Sequence, residues 1–279
     1  MLFELAIGDA YGAGFEFSPR EKIRKYNNLT AYQRHEKGIP PGRYTDDTQM
    51  SLALAELLIE GVEWTRENIA DAFVNCFKRD SRPGYSTRLY SLLSEVESGR
   101  ELLARINPDS IRNGAAMRAA SLGFIADRAV LLERAALQAT ITHDTEIGVK
   151  SAQAVALMAH YFIHEGGVRA SLSDYVSEHT AYQWLSDWNQ PVACDGFETV
   201  NAVLTVLSRA SSLREVLLQS VAFSGDVDTV AAVSAAVASL SDEYEPSLPD
   251  FLIRDLEDGA YGASYLKQLD ERLMGASAI

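Results

Sequence analysis

The stretch that decides the fold runs from Ser224 to Leu240 and reads SGDVDTVAAVSAAVASL. Its valines and its leucine recur at helical spacing and small side chains fill the other positions, which indicates a helix that packs closely on several sides. One aspartate at such a start is an ordinary N-cap. A second, two residues away, is not needed for capping, and two carboxylates ~4 Å apart repel by about 4 kcal/mol at an effective dielectric near 20. The pair Asp226 and Asp228 therefore indicates a role beyond capping.

The same pattern occurs a second time between Tyr44 and Glu60, which reads YTDDTQMSLALAELLIE and is followed by Gly61. Here Asp46 and Asp47 open a second apolar helix. If the two helix starts meet in space, four carboxylates and several hydroxyls converge, and such hard oxygen ligands favour Mg²⁺ or Mn²⁺, with enough charge for two ions. Two unrelated capped helices would account for either motif alone, whereas both motifs together favour a shared metal site.

The composition excludes several classes of protein. The chain has 279 residues, of which 47% are hydrophobic and 23% charged, and its net charge is −14. An acidic chain lacks the basic surface that general nucleic-acid binding requires. The two cysteines, Cys76 and Cys194, form neither a disulfide framework nor a zinc pattern. The start has no basic segment typical of a signal peptide, and no apolar run reaches about 18 residues. We therefore expect a cytoplasmic protein that binds neither nucleic acid nor membranes.

Helical periodicity extends along most of the chain, and no strand alternation persists anywhere. The absence of tandem repeats and linkers predicts a single domain over residues 1–279, all-α, with the helices packed as one compact orthogonal domain, and we expect a monomer. Residues 18–43 and 170–195 lack a sustained period and are predicted to be irregular. The predicted helices cover about 2–11, 49–60, 66–78, 87–97, 112–125, 127–139, 146–165, 197–209, 213–222, 230–240, 249–256 and 262–273.

Three further positions are candidates for chemistry. Glu16 lies between two phenylalanines in a glycine-rich turn, and an unpaired buried carboxylate there would be costly. Asn113-Gly114 would let backbone N–H groups approach a ligand, although an ordinary Asn-Gly turn gives the same sequence. His143 lies at a helix junction, where a single histidine is most often a hydrogen-bonded structural residue.

Taken in order, these motifs resemble the ADP-ribosylglycohydrolase family, which includes the dinitrogenase reductase-activating glycohydrolases and the ADP-ribosyl-acceptor hydrolases. The resemblance covers nearly the whole chain, and the two acidic motifs are its specific part. It differs at Ser224, where the family commonly has a glycine before Gly225, and at Asp144, where a proline often follows the histidine. The motifs that carry it are GDAYG at 8–12 with Glu16, YTDDT at 44–48, NGAAMR at 113–118, Thr142-His143 and GDVDT at 225–229.

The resemblance implies an all-helical domain that holds two Mg²⁺ or Mn²⁺ ions at the bottom of an ADP-ribose cleft. Glu16 and Asp47 would then act in catalysis, with Glu16 as the acidic residue that activates the attack. The implied metal ligands are Thr45, Asp46, Asp47, Asp226, Asp228 and Thr229. The implied substrate-binding residues are Asn113, Gly114, Met117, His143 and Gly225.

The activity implied is hydrolysis of the glycosidic bond at ribosyl C1, with an ADP-ribosylated protein side chain, arginine above all, or a small ADP-ribosyl compound as substrate. The residues suit this chemistry, because metal ions could orient the ribose hydroxyls and activate a water while Glu16 transfers a proton. Two alternatives stay open. Four aspartates around two metal ions also suit a phosphohydrolase acting on a nucleotide. A homologue without activity could retain the fold as a binding or immunity protein.

Overall fold

The computed structural model describes residues 1–36 and 38–275, and every regular element in these two ranges is a helix. The predicted all-α class is therefore confirmed. Two 3₁₀ segments cover Ala120–Phe124 and Arg169–Ser171. The α-helices are α1 (Leu2–Ala13), α2 (Arg20–Tyr26), α3 (Asp46–Ile59), α4 (Arg66–Arg79), α5 (Thr87–Glu95), α6 (Gly99–Arg105), α7 (Gly114–Met117), α8 (Arg128–Thr140), α9 (Glu146–His164), α10 (Leu172–Thr180), α11 (Gly196–Arg209), α12 (Leu213–Ala222), α13 (Val227–Ala238), α14 (Asp250–Arg254) and α15 (Ala263–Gly275).

Local capping signals placed several helix starts correctly. Thr65 accepts a hydrogen bond from the backbone N–H of Asn68 at the start of α4. Ser212 accepts one from Glu215 at the start of α12, as its capping-box sequence predicts. The Glu215 side chain bonds the N–H of Ser211 instead of completing the box. These starts were predictable because a cap depends on residues within one turn.

Three helices lie where the sequence predicted none or an irregular segment. Helix α2 lies within residues 18–43, α6 follows α5, and α10 lies within residues 170–195. Helices α2 and α6 have only seven residues each. In so short a helix, periodicity is too weak to separate a helix from a loop.

The helix predicted at 112–125 is wrong, because α7 ends at Met117 and a 3₁₀ segment follows. The carbonyl of Ala115 accepts a hydrogen bond from the Gln138 side chain of α8, so it does not accept the N–H of Ala119 as it would in a continuous α-helix. The Ala119 N–H bonds the carbonyl of Ala116 instead. A tertiary contact that is invisible in the local sequence therefore accompanies the end of this helix.

Helices α1 and α13 form the centre of the domain. All twelve residues of α13 are buried, as are eleven of the twelve in α1. Their backbones touch, because a Cβ on Gly8 would lie 2.3 Å from the carbonyl oxygen of Ala231 and one on Gly12 would lie 2.4 Å from the Cα of Asp228. Glycine at both positions therefore sets the distance between these helices. None of the described helices is both long and apolar enough to cross a membrane.

Candidate active site

The second acidic motif begins at a turn that is fixed by a neighbouring loop. Ser224 and Gly225 both have positive φ, 66° and 92°. The N–H of Asp226 donates to the carbonyl of Val192, and the N–H of Val192 donates to the carbonyl of Ser224. A Cβ on Gly225 would lie 1.9 Å from the Val192 carbonyl oxygen. The glycine is therefore required by this close backbone contact, and it leads the chain into α13 with Asp226 at the N-cap position.

The first acidic motif is fixed by a buried carboxylate from another helix. Asp9 of α1 accepts hydrogen bonds from the N–H and the hydroxyl of Thr45, at 2.9 and 2.8 Å, and from the N–H and the hydroxyl of Thr48, at 3.0 and 2.6 Å. It thereby caps the start of α3, where Thr45 holds the N-cap position without a capping bond of its own. This role leaves Asp46 and Asp47 available to face the interior of the site.

The two motifs meet at α1. Gly12 of α1 abuts Asp228, while Asp9 holds the start of α3. Asp46, Asp47, Asp226, Asp228 and Thr229 all line one cleft. Thr45 lies directly behind them, with its hydroxyl donated to Asp9, and does not reach the cleft surface.

The carboxylates of this cluster are electrostatically strained. Burial raises the pKa of Asp47 and Asp228 well above the ordinary range, and repulsion from neighbouring carboxylates raises both further. The pKa of Asp46 is raised in the same way. Burial also raises the pKa of Asp226 to about 6, although a hydrogen bond from Asn113 opposes the shift. In Asp9 burial again outweighs its hydrogen bonds and raises its pKa to about 6.

Glu16 belongs to the same cluster. One oxygen atom each from Glu16, Asp226 and Asp228 lie within 4.8 Å of one another, a spacing that would let all three coordinate one ion. Glu16 also contacts Nε2 of His35 at 2.6 Å. The sequence analysis assigned Glu16 to proton transfer alone, whereas this position suits it both to that role and to metal ligation.

The donor set fits a divalent cation. Oδ1 of Asp47 and Oδ1 of Asp228 are buried and make no hydrogen bond to any residue that the structure describes. A buried carboxylate oxygen without a partner is costly, and a cation would satisfy both oxygens while relieving the repulsion between their groups. Carboxylate and hydroxyl oxygens are the ligands that Mg²⁺ and Mn²⁺ prefer.

The cluster forms the bottom of a cleft of about 650 Å³. This volume is in the range of small-molecule sites. Four residues that the resemblance implies for substrate binding line its wall, namely Asn113, Gly114, Met117 and His143. Gly225 does not line it, because it faces Val192. The outer part of the cleft is lined by residues of α5 and of the segment before α7, among them Ser86, Arg88, Leu92, Ile106, Asp109 and Arg112.

Asn113 also makes hydrogen bonds within the protein. Its side-chain amide donates to Oδ2 of Asp226 at 2.5 Å and to the hydroxyl of Thr199 at 3.0 Å. Both N–H groups of the amide are therefore used within the protein, and Asn113 orients an aspartate of the cluster. Gly114 contacts His143 instead, because a Cβ there would lie 2.9 Å from Cε1 of the imidazole.

Three residues that sequence reasoning left without a role are part of the site. Asp9 stood in an apolar helix, where a carboxylate that must be buried is itself a signal of a polar partner. His35 lay in a segment without periodicity, and no local pattern marked it. Arg118 is only 1% exposed and lines the cleft, although it was quoted merely as the last residue of its motif.

Comparison with known proteins agrees with this geometry. The family model described as ADP-ribosylglycohydrolase matches residues 1–278. The ADP-ribosyl-[dinitrogen reductase] glycohydrolase of Rhodospirillum rubrum is 28% identical, with 84% of this chain and 81% of the relative aligned. The ADP-ribosylarginine hydrolase Tri1 of Serratia proteamaculans (strain 568) is 24% identical, with 85% and 69% aligned.

A relative aligned over a smaller share of the chain and a solved structure extend the comparison. The ADP-ribosylhydrolase ARH3 of Xenopus tropicalis is 26% identical, over 62% of this chain and 52% of that protein. A solved structure titled "ADP-ribosylglycohydrolase-related protein complex" superimposes with a TM-score of 0.78 at 22% identity, covering 99% of this chain and 96% of its own. At this identity the superposition establishes the fold alone.

Proposed function

Because this chain belongs to the ADP-ribosylglycohydrolase family, we propose that it is a metal-dependent hydrolase that removes ADP-ribose from a modified acceptor. The bond cleaved is the glycosidic bond at C1 of the ribose. The observation that carries this proposal is the pair of unpartnered buried oxygens, Oδ1 of Asp47 and Oδ1 of Asp228, at the bottom of a cleft wide enough for a nucleotide-sized ligand.

Two divalent cations, Mg²⁺ or Mn²⁺, are the proposed cofactors. Asp46, Asp47, Asp226, Asp228 and Thr229 would hold them, and Glu16 is close enough to Asp226 and Asp228 to take part. When bound, such ions orient ribose hydroxyls and lower the pKa of a coordinated water. The need for charge compensation supports this assignment, because burial and mutual repulsion raise the pKa of Asp47 and Asp228.

Glu16 is the proposed proton acceptor. Its carboxylate lies at the cluster and lines the cleft, so an attacking water held there is within its reach. The 2.6 Å contact with His35 fixes one oxygen of Glu16 and leaves the other free for the water. Asp47 has the second proposed catalytic role, which is to orient the reacting ribose through the metal site it helps to form.

Arginine is the proposed acceptor residue. A guanidinium carries a positive charge, and a cleft whose bottom is lined by several aspartates attracts such a group during binding. The similarity to a protein named an ADP-ribosylarginine hydrolase supports the same choice. The proposed partner is therefore a protein with ADP-ribosylated arginine, or a small ADP-ribosyl compound of the same linkage.

The test is incubation of the protein and Mg²⁺ or Mn²⁺ with two mono-ADP-ribosylated proteins, one modified on arginine and one on serine. We expect release of intact ADP-ribose from the arginine-linked substrate. Release of AMP instead would favour a two-metal phosphohydrolase. Release from the serine-linked protein alone would overturn the choice of acceptor, and binding of ADP-ribose without release from either protein would favour a non-catalytic homologue.

A further inference from the structure

Arg118 is a buried cation without a carboxylate partner among the residues that the structure describes. Its guanidinium instead donates to Gln138 twice, to Oε1 at 2.5 Å and to the main-chain oxygen at 3.0 Å. The guanidinium also lies over the ring of Phe73, with its central carbon 4.4 Å from the ring centroid. Burying an unpaired charge is costly, so the one further hydrogen bond that the guanidinium makes, described next, needs an explanation.

This further hydrogen bond connects Arg118 to the wall of the cleft. Nη2 of Arg118 donates to the hydroxyl oxygen of Thr142 at 2.9 Å, and the same oxygen lies 2.6 Å from Nδ1 of His143. Arg118, Thr142 and His143 all line the cleft. The three side chains therefore form a hydrogen-bonded chain from a buried cation to an imidazole at the cleft wall.

The positions of the protons in this chain can be assigned from its donors and acceptors. A guanidinium only donates, so the Thr142 oxygen is an acceptor in its contact with Arg118. The Thr142 hydroxyl proton then needs an acceptor, and Nδ1 of His143 is the one that the described residues supply. With Nδ1 accepting, a neutral imidazole carries its proton on Nε2.

We propose that Arg118 is a positioning residue that acts through Thr142 to hold His143 as an uncharged imidazole with its proton on Nε2. Nε2 makes no hydrogen bond to any residue in the described ranges, so its N–H is available to the cleft. Resting on the proposed function, the inference assigns this N–H to an oxygen acceptor of ADP-ribose, either a phosphate oxygen or a ribose hydroxyl. The other tautomer would present a lone pair, which repels a phosphate oxygen and cannot donate to a ribose hydroxyl.

The electrostatic surroundings agree with an uncharged donor. Burial lowers the pKa of His143 to about 3, and repulsion from Arg118 and Arg112 lowers it in the same direction. The imidazole is therefore neutral at physiological pH. An uncharged donor contacts the substrate without adding a titrating charge near the metal site.

Nitrogen NMR of the histidine-labelled protein tests the proposal without substrate, because protonated and unprotonated imidazole nitrogens have different chemical shifts. At neutral pH we expect Nε2 of His143 to be protonated and Nδ1 unprotonated. His160 is an internal control of the opposite kind, since its Nδ1 lies 3.0 Å from the carbonyl oxygen of Ile125 and must carry a proton there. A His143→Gln variant assigns the signals. A protonated Nδ1 on His143 in the wild-type protein would overturn the proposal.

Variants at Thr142 then test the connection. Thr142→Val keeps the shape and removes the hydroxyl, whereas Thr142→Ser keeps the hydroxyl and is the matched control. We expect a mixture of tautomers in Thr142→Val and the wild-type tautomer in Thr142→Ser. We expect mixed tautomers in Arg118→Met, whose side chain cannot donate, and the wild-type tautomer in Arg118→Lys, which keeps a donor-only cation and is the conservative control. A wild-type tautomer in Arg118→Met would remove Arg118 from the chain. If neither folds, an unchanged tautomer in Thr142→Val is the result that overturns the proposal.

Calorimetry with ADP-ribose and Mg²⁺ supplies the functional measurement. Loss of one well-oriented donor to a charged or polar oxygen corresponds to roughly a tenfold loss of affinity. We expect that loss in Thr142→Val and not in Thr142→Ser. If no variant and not even the wild-type protein binds ADP-ribose, the proposed function fails while the tautomer measurement still stands. Equal affinity of wild type and Thr142→Val, with the tautomer changed as expected, would overturn the assigned contact.

Discussion

The starts of α3 and α13 carry similar acidic motifs, but they are held in place by different means. At α3, the carboxylate of Asp9 accepts four hydrogen bonds from Thr45 and Thr48. At α13, backbone pairing with Val192 and the amide of Asn113 fix Asp226. The carboxylate that supports the start of α3 brings another negative charge into an acidic cluster, whereas the backbone and amide groups that support the start of α13 are uncharged. The difference indicates that the start of α3 depends more strongly on charge balance than the start of α13.

Neutralising either carboxylate that has an unpartnered oxygen, one on each helix, should lower turnover the most. Asp47→Asn and Asp228→Asn each replace a buried carboxylate that the proposed cations require, and we expect both to lower turnover by about 10⁴-fold, which corresponds to several kcal/mol of transition-state stabilisation. Calorimetry should show loss of Mg²⁺ or Mn²⁺ binding in both. Asp109→Asn, at the exposed rim of the cleft, is the control. Loss of binding in only one of the two variants would mean that the helix starts do not share a site.

Glu16 lies beside the aspartates at the start of α13, and the start of α3 has no corresponding glutamate. A change at Glu16 therefore tests whether the two sides of the cluster act differently. Glu16→Gln removes a proton acceptor but retains an oxygen that can contact a cation. We expect turnover to fall by about 10³-fold, in the usual range for a positioned acid or base, while metal affinity and melting temperature change little. A parallel loss of metal binding and turnover would show that Glu16 serves mainly as a ligand. Wild-type turnover would remove it from the mechanism.

The two supports can be compared directly by Asp9→Ala and Asn113→Ala. Asp9→Ala leaves the buried N–H and hydroxyl donors of Thr45 and Thr48 without their acceptor, and we expect it to lower the free energy of unfolding by roughly 3 kcal/mol. Asn113→Ala removes one donor to Asp226 and should lower it by about 1 kcal/mol. Both should reduce turnover by about 10–100-fold, as loss of a residue that orients a metal ligand does. Urea denaturation and kinetics measure these effects, and a larger destabilisation by Asn113→Ala would reverse the comparison.

The pH dependence of the metal-free protein measures the charge at each support. The pKa values of Asp9 and Asp226 are about 6, above their ordinary value of 3.8. Because these folded-state values are raised, stability is highest when the groups are protonated and is lost as the pH rises from about 4 to 6. We expect a loss on the order of 3 kcal/mol from each of the two groups, measured by urea denaturation with a chelator present. Saturating Mg²⁺ should reverse the trend, since a cation binds the ionised carboxylates. Constant stability of the chelated protein over this pH range would contradict the assigned strain.

A change at Ser224 should have the smallest effect on the free energy of unfolding, and it affects only the turn before α13. Its φ of 66° lies in the left-handed region, which costs a non-glycine residue about 1 kcal/mol. Ser224→Gly relieves this strain but increases the freedom of the unfolded chain, so we expect the free energy of unfolding to rise by about 0.5 kcal/mol. Thermal denaturation measures it, with Ser239→Gly near the end of α13 as a control that should destabilise. A destabilised Ser224→Gly would indicate that the serine makes a contact that outweighs the strain.

The sequence predicted the convergence of the two motifs because each motif is local and its chemistry is repeated. A pair of aspartates at the start of an apolar helix is visible in a few residues, and two such pairs suggest a common ligand. The supports were not predictable in this way. Asp9 acts on Thr45 through tertiary packing, and His35 reaches Glu16 from a segment without periodicity.

Long-range contacts also account for the part of the fold that was predicted wrongly. The hydrogen bond from Gln138 to the carbonyl of Ala115 lies at the end of α7, where the alanine-rich sequence favours a continuous helix. The same break leads directly into Arg118, whose guanidinium reaches Thr142. Local propensity was therefore a poor guide at the point where a cleft residue had to be directed toward its partner.

The backbone contact between α1 and α13 also constrains how the protein is made. Residues 2–13 leave the ribosome long before residues 227–238, by about 10–40 s at ordinary rates of synthesis. Until α13 appears, the helix surface around Gly8 and Gly12 has nothing to pack against, although it is buried in the finished protein. The metal cluster, which needs Asp9 on one helix and Asp228 on the other, therefore forms among the last steps of folding.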